Sequence, residues 1–152
     1  MAKLGWVIVF VSLFGLIAAS YALSHHYADP GTSFCNLDER FNCDLVNKSA
    51  YSEVMGVPVA LIGMLGYVAI ALAALTMLGV IPDWFQLGVS WRWLFPTIVG
   101  GGFFFSAYLT WLEFARIKAY CVICLSSQAS ILALFVLSLI WVRNWKTKSL
   151  RT

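Results

Sequence analysis

Charged side chains are scarce in this sequence, and their scarcity argues against a water-soluble fold. Asp, Glu, Lys and Arg make up 11% of the 152 residues, whereas 61% are hydrophobic. Soluble domains usually carry about 25% charged residues. A chain this apolar has too few polar side chains to cover a surface in water, so a lipid bilayer is the expected solvent. The small net charge of +3 gives no reason to expect a nucleic acid as a partner.

Charge is missing altogether from four long stretches. They cover about residues 4–23, 57–80, 93–112 and 119–142, and each reaches the roughly 20 apolar residues that a spanning helix needs. Because a backbone in hydrocarbon must satisfy its hydrogen bonds internally, we expect four transmembrane helices. The expected fold class is therefore an all-α integral membrane protein, a four-helix bundle that forms a single domain over residues 1–152.

The distribution of lysine and arginine predicts the orientation of the bundle. With four spans, both termini lie on one side of the membrane. Six basic residues lie on that side: Lys3, Arg92, Arg143, Lys146, Lys148 and Arg151. Four lie on the other: Arg40, Lys48, Arg116 and Lys118. By the positive-inside rule we expect both termini in the cytoplasm.

Two segment boundaries follow from short motifs. Residues 18–20 resemble a signal-peptide cleavage site, but the apolar run before them is longer than the usual roughly 7–15 residues, so we expect the first span to be retained. Residues 49–55 are expected to form a short helix at the membrane surface, which Gly56 ends. Pro58 then opens the second span, where its missing N–H is harmless.

The sequence has only four cysteines, and all of them fall on one side of the membrane under this topology. Cys35 and Cys43 lie in the long polar connection of residues 24–56, which we call the redox loop. Cys121 and Cys124 lie at the start of the fourth span. That side is the periplasm, the cell exterior or an organelle lumen, where disulfides form and persist.

The spacing of Cys121 and Cys124 is typical of redox chemistry. Residues three apart lie on one face of a helix, so the two sulfurs can pair. At a helix N-terminus the dipole and the free N–H groups stabilise a thiolate, which is both nucleophile and leaving group in thiol–disulfide exchange. At the membrane boundary this pair is within reach of a lipid-soluble oxidant.

A soluble protein cannot easily reach Cys121 and Cys124 at the membrane boundary, but it can reach Cys35 and Cys43. Seven residues separate them in a polar loop, from which they can meet a soluble protein and pass electrons to Cys121 and Cys124 through a mixed disulfide. Zinc ligation and purely structural disulfides remain open as alternatives. The wide loop spacing is unusual for zinc, and a C-x-x-C disulfide in helix geometry is strained and reducible, which favours redox use.

Four features of the sequence recur together in one known family. They are the seven-residue spacing of Cys35 and Cys43, Ser49 six residues later, the segment Gly56–Gly63 followed by Gly66-Tyr67, and Tyr108-Leu109 with Trp111 ahead of Cys121-Val122-Ile123-Cys124. From about Phe34 to Gln128 the chain resembles the vitamin K epoxide reductase family. It is most similar to prokaryotic homologues without a fused thioredoxin domain, which implies a prokaryotic cell membrane as its location.

The resemblance implies a quinone pocket inside the bundle. It implies that Cys121 and Cys124 form the active-site disulfide, with Cys124 nearest the quinone, and that Cys35 and Cys43 shuttle electrons. The implied quinone contacts are Ser49, Val59, Leu109 and Gln128. Many relatives carry asparagine where this chain has Val59, and the vertebrate enzymes carry tyrosine where it has Gln128. These departures weaken the case for epoxide reduction.

The expected function is that of a quinone-linked thiol–disulfide oxidoreductase that supports disulfide-bond formation. A separate thioredoxin-fold (DsbA-like) protein would give electrons to the redox loop, and ubiquinone, menaquinone or vitamin K would receive them, with membrane lipid around the bundle and no metal. One alternative is a vertebrate-type vitamin K epoxide reductase. Another is the unrelated DsbB type, whose cysteine pairs occur in the reverse order. A third is a metal-binding membrane scaffold without enzymatic activity.

Three further polar side chains are expected to be solvated. Glu113 follows the third span; a place facing the pocket is one alternative, but a solvated interfacial carboxylate is the expectation. His25 and His26 are adjacent in the redox loop without a spaced partner, so we do not expect them to bind metal.

Overall fold

Four long helices dominate the computed structural model, which describes residues 2–38, 40–81 and 91–149. In chain order the elements are α1 (Ala2–Tyr27), α2 (Cys43–Asn47), β1 (Glu53–Val54), β2 (Val57–Pro58), α3 (Val59–Met77), α4 (Trp91–Leu112), a π-helical turn (Glu113–Ile117) and α5 (Val122–Ser149). The second connection, residues 82–90, lies outside the described residues. So does Arg151, which the topology prediction counts.

The four long helices are long and apolar enough to cross a membrane. The corresponding segments are Ala2–Tyr27, Val59–Met77, Trp93–Ile117 and Val122–Asn144. The predicted all-α fold class with four membrane-spanning helices is therefore confirmed. The main difference from the prediction is in the third span, because the π-helical turn extends it beyond residue 112.

The first span is central to the bundle, since α1 packs against both α3 and α5, and α4 packs mainly against α5. A glycine allows the close approach of α1 and α3, because a Cβ atom on Gly15 would overlap the ring of Tyr67. Ile8, Phe95 and Leu134 fill the buried core. Large apolar side chains on the outer face of α1 remain exposed, as expected where lipid replaces water.

The redox loop folds differently from the prediction. Residues 49–55 do not form a helix; the short helix α2 forms earlier because Asn42 caps it, accepting the Leu45 N–H at 2.9 Å. Strands β1 and β2 then pair as a hairpin whose two turn residues, Met55 and Gly56, have φ of 55° and 79°. Two-residue hairpins favour such positive φ angles. Pro58 ends β2 and immediately precedes α3.

Candidate active site at the cysteine end of the bundle

Two backbone hydrogen bonds fasten the redox loop to the segment before α5. The Tyr120 N–H donates to the Arg40 carbonyl oxygen at 2.6 Å, and the Asn42 N–H donates to the Tyr120 carbonyl oxygen at 3.1 Å. The rings of Phe41 and Tyr120 lie 5.8 Å apart beside this bridge. Because Cys43 follows Asn42 and Cys121 follows Tyr120, the bridge brings the two cysteine pairs together.

The four sulfurs belong to one cluster. Cys35, Cys43 and Cys121 are buried in it, and Cys124 packs against its edge. Cys35 and Cys43 form a disulfide, whereas Cys121 and Cys124 are thiols. The predicted polar loop does not leave its disulfide at the surface, since Cys35 is 2% exposed and Cys43 is 0% exposed. Both sulfurs are therefore shielded from the surface in this state of the loop.

Cys121 and Cys124 have different surroundings at the start of α5. Cys121 immediately precedes the helix, and its sulfur accepts the Cys124 N–H at 3.1 Å. This is the arrangement of a helix cap, where free N–H groups and the dipole stabilise negative charge. Cys121 is 0% exposed, whereas Cys124 is half-buried and lines a cavity among the helices.

Asp44 ties the redox loop to α2 on both sides of Cys35. Its carboxylate accepts hydrogen bonds from the Gly31 N–H at 2.6 Å, from the Asn36 side-chain amide at 2.7 Å and from the Ser33 hydroxyl. Burial raises the pKa of Asp44, but these hydrogen bonds and a nearby lysine lower the pKa overall. Asp44 is therefore ionised at neutral pH. Sequence reasoning missed it because an acid in a polar loop is usually solvated.

The cavity beside Cys124 has a volume of about 240 Å³ and is lined by all four long helices and by the redox loop. Three of the four predicted quinone contacts, Ser49, Val59 and Leu109, line it. Gln128 is not among the lining residues, and its Oε1 is buried without a hydrogen-bond partner in the described part of the chain. A concave, mostly apolar space with a few polar groups is typical of a small-molecule site.

Ser49 and Asn47 both line the cavity, but they differ in whether a hydrogen-bond donor is left without a partner. The Ser49 hydroxyl donates to the Val46 carbonyl oxygen at 2.8 Å, so its hydrogen is already used. Asn47 is 7% exposed, and its amide nitrogen has no hydrogen-bond partner among the described residues. Sequence reasoning missed Asn47, because asparagine in a loop usually indicates a turn.

Glu113 is 4% exposed, so the prediction of a solvated carboxylate is wrong. It is the first residue of the π-helical turn, and such turns alter the direction of side chains and are frequent at functional sites. Its Oε2 accepts the Cys121 N–H at 3.3 Å. Glu113 also lines the cavity together with Cys124.

The two histidines connect segments of the redox loop, so the prediction of solvated rings does not hold either. Nδ1 of His25 lies 3.0 Å from the Ser33 hydroxyl. Nδ1 of His26 lies 2.7 Å from the Asn47 carbonyl oxygen, and its Nε2 lies 3.1 Å from Glu53. In the described ranges, no group of three or more His, Cys, Asp or Glu side chains is arranged to hold a metal ion.

Four membrane-spanning helices, two cysteine pairs in one cluster and an apolar cavity beside a C-x-x-C are the features of a membrane thiol oxidoreductase. The model of the vitamin K epoxide reductase family matches residues 6–139, which include all four cysteines. The chain belongs to this family, whose members act on quinones. It is accordingly a multi-pass membrane protein and an oxidoreductase.

Proposed function

We propose that this protein oxidises a thioredoxin-fold protein, reduces a membrane quinone and thereby supports disulfide-bond formation. One observation carries the proposal: Cys35 and Cys43 pack in one cluster with Cys121, while Cys124 lines the adjacent cavity. One end of this row of sulfurs belongs to the redox loop. The other end faces apolar space among the spans, where a quinone dissolved in lipid has access.

The electrons move in three exchanges. The reduced partner attacks the Cys35–Cys43 disulfide and leaves two thiols there while its own disulfide forms. A loop thiol then attacks the Cys121–Cys124 disulfide, so the loop is reoxidised and the helix pair is reduced. Finally the helix pair gives two electrons and two protons to the quinone and becomes a disulfide again. The observed pairing, with a loop disulfide and two helix thiols, corresponds to the state before this last exchange.

The quinone ring occupies the cavity next to Cys124. Val59 and Leu109 contact it, and the Ser49 oxygen accepts a hydrogen bond from a ring hydroxyl once the quinone is reduced, since the Ser49 hydrogen is donated to Val46. Gln128 does not line the cavity and has no contact assigned in this proposal. The Asn47 amide donates to a ring oxygen, since it has the unpartnered nitrogen. Such a donor stabilises the negative charge that develops on the oxygen as electrons arrive. It takes the place of the asparagine that many relatives carry where this chain has the apolar Val59.

The cysteine end of the bundle faces the periplasm, the cell exterior or a lumen, and both termini lie in the cytoplasm of a prokaryotic cell. The basic residues near the termini support this orientation. Disulfides persist on the opposite side of the membrane, which is where a thioredoxin-fold partner would meet the redox loop.

Anaerobic mixing tests the function. The purified oxidised protein is mixed with a reduced thioredoxin-fold protein and a soluble quinone, and quinone absorbance is followed. We expect one quinol for each disulfide formed in the partner. Failure to form quinol with either the protein or dithiothreitol as reductant would contradict the proposal. Turnover of vitamin K epoxide in a parallel reaction would instead indicate the vertebrate-type activity, and bound metal without quinol would indicate the scaffold.

A further inference from the structure

The buried position of Cys121 raises a question about proton transfer. When two thiols reduce a quinone, two S–H bonds break, one S–S bond forms and two O–H bonds form on the quinone. Cys124 lines the cavity, so its proton can pass directly to a bound quinone. Cys121 is 0% exposed and is not among the lining residues. Its proton therefore needs a carrier.

We propose that Glu113 carries the Cys121 proton to the quinone. Its carboxylate is the acceptor of the Cys121 N–H, at 3.3 Å. The same side chain lines the cavity beside Cys124. Glu113 is thus held at the backbone amide of the cysteine that lacks access, and it also lines the space that the quinone would occupy. The inference rests on the proposed function, because it adds a residue to the quinone-reducing step.

Burying the ionisable side chain of Glu113 in a membrane-spanning segment costs free energy, which supports a functional role. It is 4% exposed at the end of a membrane-spanning segment, where ionisable side chains are expensive and mark functional sites. Among the described residues, no basic side chain lies within 4.0 Å of its carboxylate, and its one hydrogen bond is the donation from Cys121. A purely structural carboxylate would be expected to have a cation or several donors.

The other titratable side chains at the cavity are less suited to this transfer. They are His26, Tyr51, Tyr67 and Cys124. Both ring nitrogens of His26 are already within hydrogen-bond distance of loop atoms. The Tyr67 hydroxyl donates to the Ser127 carbonyl oxygen at 2.7 Å. Tyr51 is an exposed residue of the redox loop, whereas Glu113 accepts a hydrogen bond from the backbone N–H of Cys121.

The step balances without a further reactant. The ionised Glu113 takes the proton of Cys121 as the Cys121 sulfur bonds to the Cys124 sulfur. Two electrons leave the cysteine pair for the quinone. One ring oxygen receives the Cys124 proton, and the other receives the Cys121 proton from Glu113, which ends the cycle ionised again.

Glu113→Gln tests the transfer, because glutamine keeps an acceptor for the Cys121 N–H but cannot carry the proton. We expect dithiothreitol-driven quinone reduction to fall about 100-fold, within the usual contribution of general acid–base catalysis. We also expect a larger solvent deuterium isotope effect than in the wild type, since proton transfer becomes rate-limiting. Glu113→Asp should recover part of the rate, because it restores a carboxyl group. Asp29→Asn is the matched control at an exposed carboxylate outside the cavity, and its rate should stay at the wild-type level.

Single-turnover reduction of Cys121–Cys124 by dithiothreitol, without quinone, separates a proton carrier from a structural residue. We expect this exchange to be unchanged in Glu113→Gln. An equal loss in both steps, or wild-type turnover with a wild-type isotope effect, would overturn the inference and leave the proposed function intact. Absence of quinol from the wild type itself would overturn both.

Discussion

The two cysteine pairs share one cluster but are held by different kinds of structure. The Cys35–Cys43 disulfide lies in a loop whose shape depends on polar contacts around Asp44 and on the bridge to Tyr120. Cys121 and Cys124 lie at the start of a long helix, beside a cavity lined by all four spans. The comparison supports the proposed division of labour: polar contacts of the redox loop hold the loop pair, whereas the helix pair lies at the start of a membrane-spanning segment.

The largest effect is expected for Cys124→Ala, which removes the sulfur that lines the cavity. We expect quinone reduction to fall by at least about 1,000-fold, as for removal of an essential nucleophile. The reaction is followed by quinone absorbance with dithiothreitol as reductant. Thermal unfolding in detergent should be nearly unchanged, because the side chain is small and half-buried. Wild-type turnover in this variant would show that the helix pair is not the quinone-reducing pair.

Cys35→Ala tests whether the loop pair is the entry point for electrons from a protein donor. With a reduced thioredoxin-fold protein as electron donor, we expect the rate to fall about 100-fold or more, because no loop disulfide remains to accept electrons. With dithiothreitol, which can reach Cys124 through the cavity, turnover should stay within about twofold of the wild type. Both rates come from the same quinone assay. An equal loss with both reductants would argue against separate roles for the pairs.

Asp44→Asn should loosen the redox loop while preserving the shape of the side chain. Losing hydrogen bonds to a charged group costs about 1.5–3 kcal/mol, so we expect a water-soluble phosphine to reduce Cys35–Cys43 at least about tenfold faster at pH 7. The folded-state pKa of Asp44 is lowered, so the wild-type protection is present above its unfolded-state value of about 4. That protection is lost as the pH falls through the folded-state pKa.

The pH series is the control for the role of the Asp44 charge. Below the folded-state pKa the wild type carries a neutral carboxyl group, so its phosphine reduction rate should approach that of Asp44→Asn. A difference between the two proteins that stays constant down to low pH would mean that the charge does not hold the loop.

Asn47→Ala is expected to have the smallest effect and concerns the cavity itself. A hydrogen bond contributes about 0.5–1.5 kcal/mol, so the KM for quinone should rise a few-fold, to about tenfold at most, while the thiol–disulfide exchange rate is unchanged. Ser49→Ala should raise KM less, because the Ser49 hydrogen already binds the Val46 carbonyl oxygen. A larger effect at Ser49 than at Asn47 would contradict the assignment of the donor.

The sequence predicts the bundle well because the bilayer imposes a simple rule: a long stretch without charge becomes a helix. The same reasoning fails in the redox loop, where local hydrogen bonds decide the structure. Residues 49–55 have no feature that distinguishes a surface helix from a hairpin, and the cap at Asn42 moves the helix to an earlier segment. Asp44 becomes buried only because Ser33, Asn36 and the Gly31 amide converge on it.

The candidate site, like the redox loop, can be predicted from the sequence only in part. The cysteine spacing strongly indicates redox chemistry. The family resemblance also selects Ser49, Val59 and Leu109, which line the cavity in the structure. Glu113 could not be assigned, since a carboxylate at the end of a span is usually solvated. Its burial depends on a π-helical turn, which hydrophobic periodicity does not reveal.

The burial of the loop disulfide also affects which thiols can serve as reductants. An exposed disulfide exchanges with any thiol that collides with it, so its redox state follows the surrounding small-molecule pool. Here Cys35 and Cys43 are buried in a cluster that also contains Ala119 and Cys121, so a reductant needs an opening of this cluster, which costs free energy. Under the proposed function, loop opening would control the rate of electron input, and a protein that binds the opened loop would have an advantage over small thiols that are far more abundant.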